Sequence, residues 1–538
     1  MADEQRFDVL VLGIGHQGLI CANYLAKAGF QVCVLDSPSP EVGATPYNPF
    51  HESAMTGPCA HRPVHIPPAL VSDLELESHG FSMKDAKPSL FAPQMEGDFF
   101  YSSTDSNQRF YAADDANKGD MERFHTLCEE LQMLAGLFGQ VNTDIPDYTE
   151  KGWKDIWALF DTARHLTDDH RDLQGLFARI MTQSLSQFLD ETFESDRFKG
   201  LLAFQSCFGS MANPDKAGTA SLLLGYIMAT GERTLFQGDW QPLRGSMHSF
   251  FKALTNAGLA NGVTFATHAA SESLIIEGGT VTGVQTDDGV YKAPIVIGDI
   301  NPRLLFEDML PEGQQIAPDF QLKLNAFKNS NGFIRAKLLL QDIPNFTCLE
   351  GQKNPAEFLG GEIVLCPDLD FMRKALADTK SQGGSQRPGV SMVLPSMRSD
   401  DLSYDGGVPC SLIGQYFEPD LPDNDENKIA AAKAMVATVE AFAPGFRDSV
   451  SHFITITGET LEKTAGPLNL DLAGGGQAIA QLMRKRFSHH AIMADIPLGG
   501  LYICGYGPES SANPHLIDAG QRLANFIRNT RKPSAATL

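Results

Sequence analysis

Three glycines spaced for phosphate binding stand near the start of the chain. Gly13, Gly15 and Gly18 follow an apolar run, Val9–Leu12, and precede a stretch whose apolar residues recur at helical spacing. The first glycine would allow a sharp turn out of a strand. The second would let the backbone approach a pyrophosphate, and the third would let a helix pack closely on a strand. The amides at the start of such a helix attract phosphate oxygens.

An acidic residue follows where a dinucleotide site needs one. After Gly29, a glycine suited to end the helix, a second apolar run at residues 32–35 ends in Asp36. A carboxylate there accepts hydrogen bonds from an adenosine ribose and disfavours a 2′-phosphate, so NADP is not the expected ligand. The alternative is a glycine-rich turn in an ordinary α/β domain, but both flanking strands favour a dinucleotide-binding βαβ unit.

Several side chains that could transfer protons or anchor a charged group lie outside this motif. His61, Arg62 and His65 stand in a long irregular segment and are candidates for a general base or a carboxylate anchor. His489 and His490 precede the last expected strand. Because neighbouring residues on a strand point to opposite sides, at most one of these two can face a site. Loop packing or a place on the surface is the alternative for His61, Arg62 and His65.

The composition limits the expected partners and compartment. A formal net charge of -24 over 538 residues argues against a nucleic-acid ligand, because an acidic surface repels it. The nine cysteines include no CxxC pair, which argues against a disulfide framework and favours a reducing compartment. No metal-site spacing is found, so no metal is expected. Without a signal-peptide pattern or a membrane-spanning apolar run, we expect a cytoplasmic protein and leave peripheral membrane contact open.

The order of the expected elements divides the chain into interleaved parts. Helices are predicted at residues 118–140, 153–164, 173–192 and 196–207, and the stretch 310–490 reads as strand-like runs with one helix near residues 427–442. We expect a nucleotide-binding domain at residues 1–75, 240–310 and 491–531, a substrate domain at residues 76–239 and 311–490, and a frayed tail at residues 532–538. A nicotinamide-dependent dehydrogenase usually keeps its nucleotide domain in one block, so this dispersal favours a flavoprotein.

Six stretches of the sequence occur in the order of a known family. They read GIGHQGLICANYLAKAG, LVSDLELESHGF, FLDETFESDRFKGLLA, PLRGSMHSFFKALTNAG, the segment from VTGVQTDDG to VIGDINP, and PLGGLYICGYG. The chain resembles the phytoene desaturase-like flavoproteins of the amine oxidase and glutathione reductase-like superfamily, in particular a subgroup named after a pyridine nucleotide-disulphide oxidoreductase domain. The resemblance implies an α/β fold, with a Rossmann-like FAD-binding domain of GR2 type interleaved with a mixed α+β substrate domain.

The resemblance implies FAD as the cofactor and a set of residues around it. The glycines would hold the pyrophosphate, Asp36 the ribose, the strand at Ser271 the adenine and Gly505 the ribityl-pyrophosphate, while the last helix would begin at the flavin. The residues expected to contact FAD are Gly13, Ile14, Gly15, His16, Gln17, Gly18, Asp36, Ser37, Gly43, Ala44, Ser271, Gly505, His515, Leu516 and Ile517. His515 is also a candidate catalytic residue, with exposure to solvent as the alternative.

The sequence departs from the family pattern in three places. Asp36-Ser37 replaces a common Glu-Arg pair, and Gly43-Ala44 replaces a Gly-Gly pair. The segment 509–520 replaces a glycine-rich motif, so side chains stand where the cofactor normally passes close to the backbone. We expect FAD still to bind, along an altered local path.

The resemblance implies dehydrogenation, that is desaturation, of a hydrophobic substrate of isoprenoid or polyunsaturated lipid type, with flavin N5 as hydride acceptor. One alternative is a redox-neutral flavin-dependent isomerase or hydratase. Others are a non-catalytic binding or scaffold protein that kept the fold, favoured by the lost glycines, and a nicotinamide-dependent dehydrogenase. The sequence does not identify the electron acceptor, and it leaves a homo-oligomer open.

Overall fold

The computed structural model describes residues 4–13, 15–37, 49–51, 54–55, 66–83, 89–95, 99–103, 110–112, 116–141, 171–230, 246–267, 269, 271–300, 302–326, 332–397, 407–418, 420–460, 496–504 and 519–533. The α-helices are α1 (His16–Lys27), α2 (Pro68–Asp73), α3 (Ala116–Val141), α4 (Arg171–Thr182), α5 (Leu185–Thr192), α6 (Asp196–Cys207), α7 (Ser221–Thr230), α8 (Ser246–Ala260), α9 (Pro302–Glu307), α10 (Pro318–Ala326), α11 (Leu369–Gln382), α12 (Asp425–Glu440), α13 (Phe446–Ser449) and α14 (Ala519–Thr530). Short 3-10 helices lie at Leu76–His79, Thr347–Leu349, Pro355–Leu359 and Pro395–Met397.

The strands of the described residues fall into four sheets. They are β1 (Glu4–Arg6), β2 (Val9–Leu12), β3 (Val32–Ser37), β4 (Pro49–His51), β5 (Ala54–Met55), β6 (Ser89–Pro93), β7 (Phe99–Ser103), β8 (Phe110–Ala112), β9 (Thr264–Thr267), β10 (Ser271–Glu277), β11 (Thr280–Thr286), β12 (Val290–Lys292), β13 (Ile295–Gly298), β14 (Phe333–Leu340), β15 (Glu362–Leu365), β16 (Val390–Val393), β17 (Val408–Gln415), β18 (Val450–Ile456) and β19 (Leu501–Ile503).

A five-stranded parallel sheet carries the glycine-rich segment. Its strand order is β19-β13-β2-β3-β9, and every neighbouring pair runs parallel. All four residues of β2 are fully buried, which explains the unbroken apolar sequence of this central strand. Since β2, β13 and β19 end at one edge of the sheet, Gly13, Asp299 and Cys504 follow neighbouring strands there.

Different elements pack on the two faces of the parallel sheet. Val11 belongs to an apolar cluster with Leu25 on α1 and Leu523 on α14. Leu10 points to the other face and belongs to a cluster with Val284 on β11, in a second sheet of order β1-β12-β11-β10. The alternation of side chains along β2 therefore fixes a layer of helices on one side and a small sheet on the other.

An eight-stranded sheet of order β18-β14-β17-β16-β15-β6-β7-β8 forms a separate layer. One face packs on α12 through a cluster that includes Leu338 and Met435, and the other face packs on α6 and α11. The face toward α6 also carries six buried polar side chains, set by the strand registers. We call them the buried polar face: Arg335, Lys337, Glu362, Ser391, Ser411 and Gln415.

Distant parts of the chain meet in both large sheets. The parallel sheet takes its strands from residues 9–37, 264–298 and 501–503. The eight-stranded sheet takes its strands from residues 89–112 and 333–456. The bounds of the interleaved domains stay a prediction.

Several helices differ from the sequence-based expectation, among them α4, α5 and α11. The helix expected at residues 173–192 is divided into α4 and α5, because the hydroxyl of Ser184 accepts a hydrogen bond from an amide of the first turn of α5. The unpredicted α11 begins after Asp368, whose carboxylate caps its first turn, and ends at Gly383, where φ is +77°. The helix expected at 153–164 lies outside the described residues.

The described part of the chain shows neither a membrane span nor a metal cluster. None of its helices is long and apolar enough to cross a bilayer. Within the same residues, no group of three or more His, Cys, Asp or Glu side chains is arranged to hold a metal ion. The eight described cysteines are buried.

Candidate functional site

Gly13 turns the chain out of β2 in a conformation that favours glycine. Its φ is +90°, in the left-handed region. A Cβ atom at this position would lie 2.7 Å from the carbonyl oxygen of Asp299 and 2.9 Å from Cγ2 of Ile300. A side chain is therefore excluded at this position for two reasons, the backbone conformation and the close approach of the chain after β13.

Gly15 and Gly18 bring the first turn of α1 against the side chain of Asp299. A Cβ atom on Gly15 would collide with the Asp299 carboxyl group, and one on Gly18 would lie 2.8 Å from Asp299 Oδ2. The amide of Gly18 donates a hydrogen bond to that same oxygen at 2.7 Å. A carboxyl group thus contacts the helix N-terminus where the spacing of the glycines predicts phosphate.

The electrostatics of this helix start are set by burial. Gly15 is the N-cap of α1 and supplies no side-chain cap, and the first turn contains no acidic residue. Burial raises the pKa of Asp299 to about 7, and the hydrogen bond from Gly18 opposes this rise only in part. Burial lowers the pKa of His16 to about 4, so this imidazole is neutral at pH 7. Its ring meets Phe251 edge-on, with the ring centroids 6.2 Å apart.

The last helix docks on the same turn of α1. The side-chain Oε1 of buried Gln17 accepts a hydrogen bond of 2.8 Å from the amide of Gly520. A Cβ atom on Gly520 would collide with the backbone oxygen of Gln17. The absence of a side chain at Gly520 therefore allows α14 to lie against the glycine-rich motif.

Two neighbouring residues of α1 hold the helix to different partners. The side-chain amide of buried Asn23 donates to the carbonyl oxygen of Leu254 on α8 at 3.0 Å. The hydroxyl of Tyr24 donates to Asp73 Oδ2 at 2.8 Å and accepts from Gln521 on α14 at 2.9 Å. The first contact is buried, and the second lies nearer to solvent.

We expect Asn23→Ala to lower the free energy of unfolding by about 1–3 kcal/mol, because it removes buried hydrogen bonds. Tyr24→Phe serves as the control, and we expect a change of less than about 0.5 kcal/mol from this exposed contact. Denaturant unfolding of both variants measures the difference. Equal losses in the two variants would contradict the distinction between the buried and the exposed contact.

The structure describes some of the residues that were predicted to contact FAD. Gly13, Gly15 and Gly18 lie together at the end of β2, with His16 and Gln17 on the same turn. Asp36 lies near the end of β3, and Ser271 begins β10 in the small four-stranded sheet, opposite Thr286. Ser37, which ends β3, pairs with Thr267. The remaining predicted site residues lie outside the described residues: Ile14, Gly43, Ala44, His61, Arg62, His65, His489, His490, Gly505, His515, Leu516 and Ile517. Contacts of all these residues with cofactor or substrate stay predictions.

Two residues of this region were missed by the sequence analysis. Asp299 directly follows the buried strand β13, a place where site residues often stand, and that position was the available signal. Gly520 carried no such signal, because its contact with Gln17 joins residues about 500 positions apart in the chain.

The buried polar face is a second collection of functional groups, on the eight-stranded sheet. Glu362 accepts hydrogen bonds from the hydroxyl of Ser391 and from the amide of Gln205 on α6, the latter at 3.2 Å. The guanidinium Nε of Arg335 donates to the hydroxyl of Ser411 at 3.0 Å. Buried polar groups are costly unless they are hydrogen-bonded, so this face is built from matched donors and acceptors.

The sequence is similar to curated proteins over almost its whole length. No protein-family model matches it. It is 24% identical over 545 residues to pyridine nucleotide-disulfide oxidoreductase domain-containing protein 2 of Rattus norvegicus, covering 97% of this chain and 93% of the relative. The identity to the protein of the same name from Mus musculus is 23%, covering 93% and 90%. A D-amino acid dehydrogenase from a Methylobacterium strain is 26% identical over 55% of this chain and 62% of its own length.

Solved structures share the fold at low sequence identity. A putrescine oxidase gives a TM-score of 0.62 at 14% identity, covering 98% of this chain and 100% of the other. An oxidoreductase from Methanosarcina mazei gives 0.58 at 16% identity, covering 96% and 100%. A cyclohexylamine oxidase from Brevibacterium oxydans gives 0.55 at 15% identity, covering 97% and 99%.

These similarities confirm the predicted resemblance and the predicted α/β fold with a Rossmann-like domain. The relatives and structural neighbours are named as oxidoreductases, oxidases and dehydrogenases, in line with the predicted class of enzyme.

Proposed function

We propose that the chain is an FAD-dependent oxidoreductase that dehydrogenates a small molecule. The observation that carries the proposal is the turn after β2. Gly13 adopts a left-handed conformation there, and Gly15 and Gly18 open the first turn of α1 to close approach by another group. The turn stands at the carboxyl edge of a parallel sheet, where nucleotides bind in folds of this type.

The glycine turn and the start of α1 have the form that a dinucleotide requires, and the Asp299 carboxyl group lies beside them. The three glycines and the N-terminus of α1 would hold the pyrophosphate, and Asp36 near the end of β3 would bind the ribose. FAD supplies a flavin ring that accepts a hydride from a substrate carbon. The role of this chain is then to position the cofactor and to exclude water. The docking of α14 on α1 through Gln17 and Gly520 holds the C-terminal part of the chain against the motif.

For the substrate, we propose a hydrophobic molecule of isoprenoid or polyunsaturated lipid type that is desaturated. The support for this class is the resemblance to the phytoene desaturase-like flavoproteins along the whole chain. Dehydrogenation of an apolar chain needs little beyond orientation and a single proton acceptor, for which the histidines named above are candidates.

A second candidate substrate is an amine or an amino acid, and the buried polar face favours it. Arg335 and Lys337 lie two residues apart on the same side of β14, and Glu362 lies on that side of β15. Paired cations of this kind suit a carboxylate, and a buried carboxylate suits an ammonium group. Among the similar proteins, two are named as amine oxidases and one as a D-amino acid dehydrogenase.

We expect the purified protein to be yellow, because a bound oxidised flavin absorbs at about 450 nm. Under anaerobic conditions the correct substrate should bleach this absorption. Polyunsaturated lipids and isoprenoids form one panel, and diamines, cyclic amines and D-amino acids form the other. Bleaching by the second panel alone would reject the hydrophobic substrate. Turnover of a lipid without bleaching would indicate a redox-neutral isomerase or hydratase.

A further inference from the structure

We infer that bound FAD keeps Asp299 protonated, so that FAD binding takes up a proton and weakens as the pH rises. The inference rests on the proposed function, since it concerns how this chain's own carboxyl group meets the FAD pyrophosphate.

The geometry places Asp299 inside the predicted phosphate cradle. Its Oδ2 atom already accepts the amide hydrogen of Gly18 at 2.7 Å. The same carboxyl group lies where a side chain of Gly15 would be, and the backbone oxygen of Asp299 closes on Gly13. One residue therefore contacts all three glycines of the motif. A phosphate oxygen and an ionised carboxylate would compete for the same amide and would repel each other.

No positive charge in the described structure compensates this carboxyl group. The side chains that approach the glycine turn with it are Val11 from β2 and Ile300. The ionisable residue on the facing turn of α1 is His16, which is neutral at pH 7 because burial lowers its pKa to about 4. Asp299 takes part in none of the ion pairs between described residues. Among the described residues, its negative charge is therefore stabilised only by the amide of Gly18 and the start of the helix.

Protonation of Asp299 removes the repulsion between its carboxyl group and the pyrophosphate. A neutral carboxyl group can donate its O–H to a phosphate oxygen, whereas a carboxylate can only accept. Burial already raises the pKa of Asp299 to about 7, and a neighbouring pyrophosphate raises it further because like charges disfavour ionisation. Above pH 7 the free protein is therefore mostly ionised at Asp299, and FAD binding must take up a proton. Linkage then makes the dissociation constant rise by up to about tenfold per pH unit.

The test is an FAD titration of flavin-free protein between pH 6 and pH 9, followed by flavin fluorescence or calorimetry. The native protein should show a dissociation constant that is flat below about pH 7 and rises above it. Asp299→Asn keeps an oxygen that can accept from Gly18 but cannot ionise, so its dissociation constant should stay flat. Asp8→Asn is the matched control. Asp8 is also buried and accepts from the amide of Gln31 at 2.8 Å, before β2 begins, so the pH dependence should remain.

Calorimetry of the native protein at pH 7.5, in two buffers of different ionisation enthalpy, measures the proton directly and needs no variant. Uptake approaching one proton per FAD is expected, and uptake near zero would overturn the inference. A pH dependence that persists unchanged in Asp299→Asn would also overturn it. Failure of the native protein to bind FAD at any pH would instead reject the proposed function.

The flavin-free protein offers a second readout. Because the folded pKa of Asp299 lies above the usual value for Asp, its contribution to stability falls as the pH rises from about 4 to about 7. Asp299→Asn should therefore melt at a higher temperature than the native protein at pH 8, and this gain should shrink toward pH 4. A constant difference at all pH values would argue against a raised pKa at this residue.

Discussion

Replacing Gly13 by Ala should abolish measurable FAD binding. The variant places a Cβ atom 2.7 Å from the carbonyl oxygen of Asp299, in a backbone conformation with φ of +90°. The left-handed conformation costs about 1–2 kcal/mol for a residue with a Cβ, and overpacking adds about 1–3 kcal/mol. The turn must therefore move away from β13, and the amides of α1 move with it. Flavin content after purification, and titration of flavin-free protein, measure the loss.

Gly29→Ala is the matched control for this variant. Gly29 has nearly the same φ, +92°, but the nearest atom to a Cβ there is 4.0 Å away, on Pro533. It therefore shares the conformational strain without the collision, and it lies at the opposite end of α1. We expect it to lose some stability and to keep its flavin. If Gly13→Ala retains FAD as well as Gly29→Ala does, the turn after β2 does not hold the pyrophosphate.

Replacing Gly200 by Ala should be among the most destabilising single-methyl additions in the molecule. Gly200 lies inside α6, where alanine is normally better than glycine by about 1 kcal/mol. Here a Cβ atom would stand 2.5 Å from Cα and 2.7 Å from the amide nitrogen of Asp368. These are backbone atoms of the N-cap of α11 and cannot rotate away. The clash therefore outweighs helix propensity, and we expect a net loss of about 2–4 kcal/mol.

Gly175→Ala on α4 tests the same substitution without the clash. Gly175 is an exposed position within a helix, and no atom lies within 4 Å of the place that its Cβ would occupy. We expect this variant to gain up to about 1 kcal/mol in the free energy of unfolding. Thermal or denaturant unfolding of both variants gives the comparison. A gain in Gly200→Ala would mean that α6 and α11 do not approach as closely as the structure has them.

The parts of the fold that the sequence predicted best depend on local patterns. β2 and α1 were predictable because an unbroken apolar strand, a glycine turn and a helical spacing of apolar residues follow one another within about 20 positions. The same reasoning failed for α11. Its start at Asp368 and its end at Gly383 are standard caps, but its sequence lies among strand-like runs and was interpreted with them.

The parts that were missed depend on contacts between distant residues. The hydrogen bond between Gly18 and Asp299 joins positions 281 apart, and neither residue identifies the other in the sequence. The buried polar face was hidden for a related reason. Arg335 and Lys337 alternate with apolar residues along β14, and such alternation normally indicates a strand with one face in water. Only the folded structure shows that these polar side chains are buried, with Arg335 and Lys337 each 4% exposed.

The arrangement of the parallel sheet has a consequence for synthesis on the ribosome. β13 has β2 on one side and β19 on the other, and β19 begins at Leu501, about 200 residues after β13 ends at Gly298. At a synthesis rate of roughly 5–20 residues per second, β19 is completed about 10–40 s after β13. One edge of β13 is unpaired during that time. During translation, that open edge could pair with other chains, and early association with a chaperone would protect it.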